Sequence, residues 1–187
     1  GSTDASKTLE SLATVWEALG NGGGSRHSLL LCLGGGMVTD LGGFAAATFK
    51  RGIPFINIPT TLLAMVDAAV GGKTGINFNG LKNEIGVFRE AEAVIIDTQF
   101  LRTLDAPNLR SGYAEMLKHS LLDGVDMWAT HLNFELSHPD YSQLQDLVRQ
   151  SIDVKRRIVA EDPTEKGIRK ALNLGHTTAH AFESLAL

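Results

Sequence analysis

Cysteine is almost missing from this chain of 187 residues, which carries one copy, Cys32. That excludes a disulfide framework within the chain and any metal site built from cysteine alone. It suits a reducing compartment. Excess positive charge is missing as well: 17 basic against 21 acidic residues leave a net charge of −4. The chain therefore lacks the basic footprint that nucleic acid or an anionic membrane demands of a partner. No apolar run approaches the ~20 residues that span a bilayer. Those around residues 29–33 and 91–96 are strand-sized. Gly1-Ser2-Thr3-Asp4 leads into no hydrophobic signal core. Low-complexity polar tracts are absent, and 43% hydrophobic with 20% charged residues is an ordinary globular composition. The expectation is a folded, cytoplasmic protein with neither nucleic acid nor membrane as partner. Its length fits one full domain, or one compact domain with part of another.

Glycine is what the sequence has in quantity, with 20 copies concentrated between Gly20 and Gly86. Glycine belongs where backbone turns tightly or approaches a ligand. Around these glycines the pattern alternates. Leu9, Leu12, Val15, Trp16 and Leu19 predict an amphipathic helix over 7–19. SLLLCL at 28–33 predicts a buried strand running into Gly34-Gly35-Gly36, and residues 37–50 have helical periodicity. Strands are expected again at 55–58 and 93–97, with a helix over 60–70 and a loop at 71–75. Strands alternating with helices argue for a parallel sheet of βαβ units. Beyond Thr103 glycine thins out, and helical spacing recurs at 114–122, 144–161 and 169–184 without a convincing strand. The expected organisation is an α/β domain over 1–104 and an all-helical domain over 105–187.

Four constellations carry possible chemistry. GGGMVTD follows a strand and opens a helix, where unpaired N–H groups attract a phosphate. It is not the GxGxxG fingerprint, and a tight βα turn explains it equally well. DAAVGGKTGIN, residues 67–77, sets Lys73 among glycines, from which a lysine can meet an anion together with backbone amides. The spacing is not that of a P-loop, and a lysine on a surface loop is the plain alternative. Glu115 and Lys118 share a helix face at i and i+3, as a surface ion pair or as part of a site. His176 and His180, at i and i+4 in NLGHTTAH, can converge on one ion or substrate; the segment is not HExxH. Lys155, Glu165, Arg169 and Asn173 complete a polar, largely cationic face suited to an anionic, hydroxyl-rich molecule, or simply a solvated one. His27, His119, His131 and His138 sit in contexts that mark no chemistry.

In this order, GGGMVTDLGGFAAATFKRG, IPTTLLAMVDAAVGGKTGIN, LKNEIG, AEMLK and NLGHTTAH resemble the 3-dehydroquinate synthase family across residues 29–187. The resemblance implies a Rossmann-like parallel sheet, incomplete here, followed by an all-α domain. It implies conversion of 3-deoxy-D-arabino-heptulosonate 7-phosphate, a small phosphorylated sugar acid, to 3-dehydroquinate and phosphate in the shikimate pathway. The cofactors implied are NAD and a divalent metal, Zn2+ or Co2+, and the implied assembly is a homodimer.

Carried over by motif, Gly35, Gly36, Met37, Asp40, Thr60, Thr61, Lys82 and Thr103 would contact NAD. Asp67, Lys73, Asn83, Lys118, Lys155, Arg169 and Asn173 would bind substrate, with Arg51 reaching the phosphate across a dimer interface. Glu115 and His176 would ligate metal; Glu165, His180 and Lys118 would be catalytic. The family pattern also implies βαβ elements before Lys7, and a third histidine ligand and a phosphate-binding lysine after Leu187. Thr178-Ala179 departs from the family's usual pattern, which has glycine before the second histidine. Competing expectations are a sister sugar-phosphate cyclase, of the 2-deoxy-scyllo-inosose or valiolone synthase type, a metal-dependent alcohol dehydrogenase, and an inert NAD-binding fragment.

Overall fold

A computed structural model describes residues 4–176 together with 178 and 182. The chain divides between Tyr113 and Ala114 into two compact units. The first helix, α1 (Leu9–Asn21), starts where the Thr8 hydroxyl accepts a hydrogen bond from the Ser11 amide at 3.2 Å. Its apolar stripe lays buried Leu12, with Val15 and Trp16, against Leu41, Phe44, Ala45 and Ile76. A second cluster joins Cys32, Ala46, Ile53 and Phe55. Each full-sized side chain so buried contributes roughly 1.5–3 kcal/mol.

The sheet follows the expected βαβ logic. Strand β1 (Leu30–Gly34) leads into α2 (Gly36–Thr48) and then β2 (Phe55–Pro59), which pairs parallel to β1 with Leu30 opposite Phe55 and Gly34 opposite Pro59. A third parallel strand is short: of residues 93–97 only Ala93 and Val94 pair, forming β5 beside β2, so the order is β1-β2-β5. Residues 60–70, expected as one helix, contain a π-helical turn at Ala64–Ala68.

The segment expected to be a loop at 71–75 is a correction. Lys73, Thr74 and Gly75 belong to β3 (Lys73–Phe78), which pairs antiparallel with β4 (Leu81–Phe88). Asn79 and Gly80 both have positive φ, 48° and 78°, and close this hairpin. Gly75 faces Gly86 across the ladder, and a Cβ on Gly86 would lie 2.2 Å from the Thr74 carbonyl oxygen. The two glycines are the condition for that close approach.

The regular elements among the second unit's described residues are all helical. It receives the C-terminal part of α3 (Ala106–Asp123), then α4 (Val125–Leu132) and α5 (Tyr141–Glu161). The Asp140 carboxylate caps α5 by accepting from Ser142 and Gln143 amides. Residues 169–184, expected as a helix, begin instead as a 3-10 turn at Ile168–Asn173. Among the described residues no helix is long and apolar enough to cross a membrane.

Candidate functional site

In the first unit β1 runs straight into the glycine turn. Gly35 is the N-cap of α2 and supplies no side chain to cap it, so the amides of the first turn face whatever approaches that helix end. The turn packs against the next crossover: the Thr60 amide donates to the Gly34 carbonyl at 2.9 Å. A Cβ on Gly35 would sit 3.1 Å from the Thr61 methyl, and one on Gly36 3.1 Å from Ala68 Cβ. Gly35, Gly36, Thr60 and Thr61 are thus brought together. The Thr61 hydroxyl accepts from the Ala64 amide, starting the turn that carries Asp67.

Asp40, one turn further along α2, lines a cavity of about 360 Å3 with Lys73, Thr74, Gly75, Asn83 and Phe88. Three residues expected at the site, Asp40, Lys73 and Asn83, therefore share one concave surface. Lys7, unmarked by any motif, organises it. Its ammonium group is buried and pairs with Asp40 at 2.9 Å and Asp4 at 3.3 Å, and it donates to the Asn83 side-chain oxygen. Burial is the main influence on the Asp40 carboxyl and raises its pKa, with Lys7 pulling the other way and Asp67 adding to the rise. Lys82 and Thr103 are exposed, and Thr103 donates to the Phe100 carbonyl. Arg51 follows α2 in an exposed turn where it and Lys50 both take positive φ, 73° and 47°. Such backbone costs of order 1–3 kcal/mol per residue.

In the second unit α3 turns Glu115, Lys118 and His119 to one side. Lys118 is buried, ion-paired with Glu115, and donates to the Leu172 carbonyl. From α5, Lys155 and Ser151 are buried one turn apart. Arg169 is 2% exposed and donates to the Pro163 carbonyl at 2.6 Å. The Asp162 carboxylate shapes that loop by accepting from the amides of Lys166, Gly167 and Arg169 at 2.9, 2.6 and 3.2 Å. These bonds, the Lys166 amide foremost, hold its pKa below the ordinary value. Asn173 donates to Glu165, bringing two further expected site residues together, and Glu165 takes a positive φ of 59°. His176 is half-buried; His180 lies outside the described residues. Two groups escaped the sequence reading: Lys7, which only its burial reveals, and His119, which reads as filler yet lies against Glu115.

Two family models match, 3-dehydroquinate synthase N-terminal over residues 1–111 and 3-dehydroquinate synthase C-terminal over 112–187. A 3-dehydroquinate synthase of Parabacteroides distasonis is 63% identical over 98% of this chain and 52% of that protein. One from Streptococcus pyogenes is 44% identical over 96% of the chain and 50% of its own length. The chain spans about half the length of the curated relatives it matches. Among solved structures, a 2-deoxy-scyllo-inosose synthase complexed with carbaglucose-6-phosphate, NAD+ and Co2+ superposes with TM-score 0.88 at 26% identity, over 98% of this chain and 51% of that one. A 2-epi-5-epi-valiolone synthase from Streptomyces hygroscopicus with NAD+ and Zn2+ bound gives 0.81 at 32% identity, over 93% and 50%.

Proposed function

This chain belongs to the 3-dehydroquinate synthase family, and from that premise we propose that it carries the NAD-binding part and much of the substrate-binding part of a carbon–oxygen lyase acting in the cytoplasm. The reaction converts 3-deoxy-D-arabino-heptulosonate 7-phosphate to 3-dehydroquinate and phosphate. The observation that carries the reading is the cavity where Asp40, Lys73 and Asn83 meet.

NAD fits the first unit on one structural ground: α2 begins at glycines without a side-chain cap, in a turn whose glycines already lie close to Thr61 and Ala68. Gly35, Gly36 and Met37 would take the pyrophosphate, with Asp40, Thr60, Thr61, Lys82 and Thr103 holding the rest of the dinucleotide. The metal set is not complete in these residues. Glu115 and His176 are suitable donors, but no group of three or more His, Cys, Asp or Glu side chains gathers among the described residues. When bound, NAD supplies a reversible hydride acceptor that activates the neighbouring carbon toward proton loss.

The chain's own residues bind and orient. Lys73 and Asn83 would neutralise and hold the phosphate, with Arg51 of a second copy reaching it across a homodimer. Asp67, Lys118, Lys155, Arg169 and Asn173 would fix the carboxylate and hydroxyls. Buried cations suit an anionic, multiply hydroxylated molecule, because a flexible substrate must be held in one conformation to cyclise. Glu165, bound to Asn173, and His180 would move protons.

The test is phosphate release from the substrate by this chain with NAD and zinc supplied. The expected result is phosphate without net NADH. Net NADH would instead favour an alcohol dehydrogenase. Absence of release from this chain and from a longer chain with its flanking segments would overturn the reading. Sister cyclases are the solved neighbours, so turnover of a phosphorylated sugar lacking the carboxylate, in preference to the acid, would move the assignment to them.

A further inference from the structure

In the second unit one carboxylate organises the loop that carries three of the residues proposed to meet substrate. Asp162 follows α5 directly, and its amide donates to the Ile158 carbonyl at 3.1 Å. It is thereby fixed to the end of the helix that also carries Lys155. From there its two carboxylate oxygens divide three donors. Oδ1 accepts from the Lys166 amide at 2.9 Å, and Oδ2 accepts from the amides of Gly167 at 2.6 Å and Arg169 at 3.2 Å. Gly167 is the N-cap of the 3-10 turn Ile168–Asn173 and brings no side chain of its own. Asp162 caps that turn in its place.

We propose that Asp162 is a positioning residue, which through these three amides sets the Arg169 guanidinium for the carboxylate of the substrate and holds Glu165 beside Asn173. The loop geometry is independent of any ligand; its bearing on substrate rests on the function proposed above. Arg169 is tied at both ends to the same two residues. Its amide meets Asp162, and its buried guanidinium donates to the Pro163 carbonyl at 2.6 Å. Between those anchors the backbone passes through Glu165, whose φ is 59°, and whose amide donates to the Asp162 carbonyl at 3.4 Å. Asn173, at the far end of the 3-10 turn, donates to the Glu165 carboxylate. The arrangement calls for a carboxylate and not merely a polar group. A carboxamide has one acceptor oxygen, and its NH2 would face an amide N–H. Both Asp162 oxygens are taken by backbone, so the residue acts on substrate through the loop.

The test begins with nuclear magnetic resonance of this chain with labelled arginine and no ligand. The Arg169 guanidinium protons are expected to be resolved and slow to exchange in the unsubstituted chain. Asp162→Asn should merge them with those of exposed arginines, and Asp162→Glu, which keeps the charge and both acceptors, should bring them partly back. Calorimetric titration with 3-deoxy-D-arabino-heptulosonate 7-phosphate is then expected to show affinity roughly 10–100-fold weaker in Asp162→Asn. Inorganic phosphate, whose expected contacts Lys73 and Asn83 lie in the first unit, should bind both chains equally. Arg169→Lys, which loses the planar fork, should weaken substrate binding as much. Adding Asp162→Asn to it should cost little more, because the carboxylate acts through the guanidinium. Arg169 resonances indifferent to Asp162→Asn overturn the inference. So do losses that simply add, or phosphate affinity that falls in step with substrate affinity. An unsubstituted chain that binds no substrate overturns the proposed function, and the guanidinium resonances still decide the arrangement.

Discussion

The two units build polar surroundings by opposite means. In the first, the expected NAD contacts include glycines at the mouth of α2 and a threonine pair beside them, while a buried lysine that no motif marks, Lys7, holds Asp40 and Asn83. In the second, the expected substrate contacts are long charged side chains buried in helices: Lys118, Lys155 and Arg169, each less than a tenth exposed. Backbone amides can be presented only where side chains are absent, so the first unit depends on glycine. Buried charge is tolerable only where partners surround it, so the second depends on hydrogen-bonded networks. Glycine failure should therefore act through packing, and network failure through charge.

The largest expected effect lies in the first unit. Gly86→Ala would drive a methyl to within 2.2 Å of the Thr74 carbonyl oxygen, an overpacking that costs about 3 kcal/mol. Urea denaturation reads it, and a loss below the noise of that measurement would mean that β3 and β4 are not as close as described.

Next comes Lys7→Met, which imports the logic of the second unit into the first. It leaves Asp40 without its cation and costs about 2 kcal/mol, less than a fully enclosed pair because Asp40 keeps some solvent contact. The Asp40 pKa is already raised by burial and should rise further. A raised value contributes stability that is present below the ordinary carboxylate range and lost as pH rises through the folded value. The deficit of Lys7→Met against the parent should therefore be smaller near about pH 4 than near about pH 7; equal deficits would detach Lys7 from Asp40.

In the second unit, Asp162→Asn should act more weakly, since that carboxylate is solvent-accessible. Its pKa is lowered by accepting backbone amides, so its contribution is present above the ordinary value and lost as pH falls through the lowered one. The parent and Asp162→Asn should converge in thermal midpoint on acidification, and the Lys166, Gly167 and Arg169 amides should exchange faster in the variant at neutral pH.

The smallest effect is an absence of reaction. Burial pushes the Cys32 thiol up to about 11, so at pH 8 about one molecule in a thousand is thiolate. Thiol reagents should label the folded chain very slowly and the urea-unfolded chain readily. Equal rates would contradict the packing around Ala46, Ile53 and Phe55.

The strand–glycine–helix unit at 30–48 was legible because a short apolar run, three glycines and an alanine-rich helical period agree with one another. The β3–β4 hairpin was not, because its first residues, Lys73 to Gly75, continue the glycine run of Gly71 and Gly72 and look like loop. The Asn79-Gly80 pair was the available signal. Among the candidate residues of each unit, those carrying a motif stood out: Lys73 in the first, Glu115 and His176 in the second. Lys7, His119 and Ser151 did not, since a lysine before a helix, a histidine on one and a serine on another have no local pattern.

What the sequence by itself determined is whatever a local rule reads: the βαβ alternation, the turn at Gly34–Gly36, the helical character of the second unit, and the family to which the motifs point. What only the tertiary structure decided is which polar groups meet. Lys7 and Asn83 are 76 positions apart, and His119 and Ser151 are 32 apart on separate helices. Periodicity assigns a side chain to a face and says nothing of the atom opposite. A buried donor's partner is settled only when distant segments pack and water is removed, because an unpaired group then becomes costly.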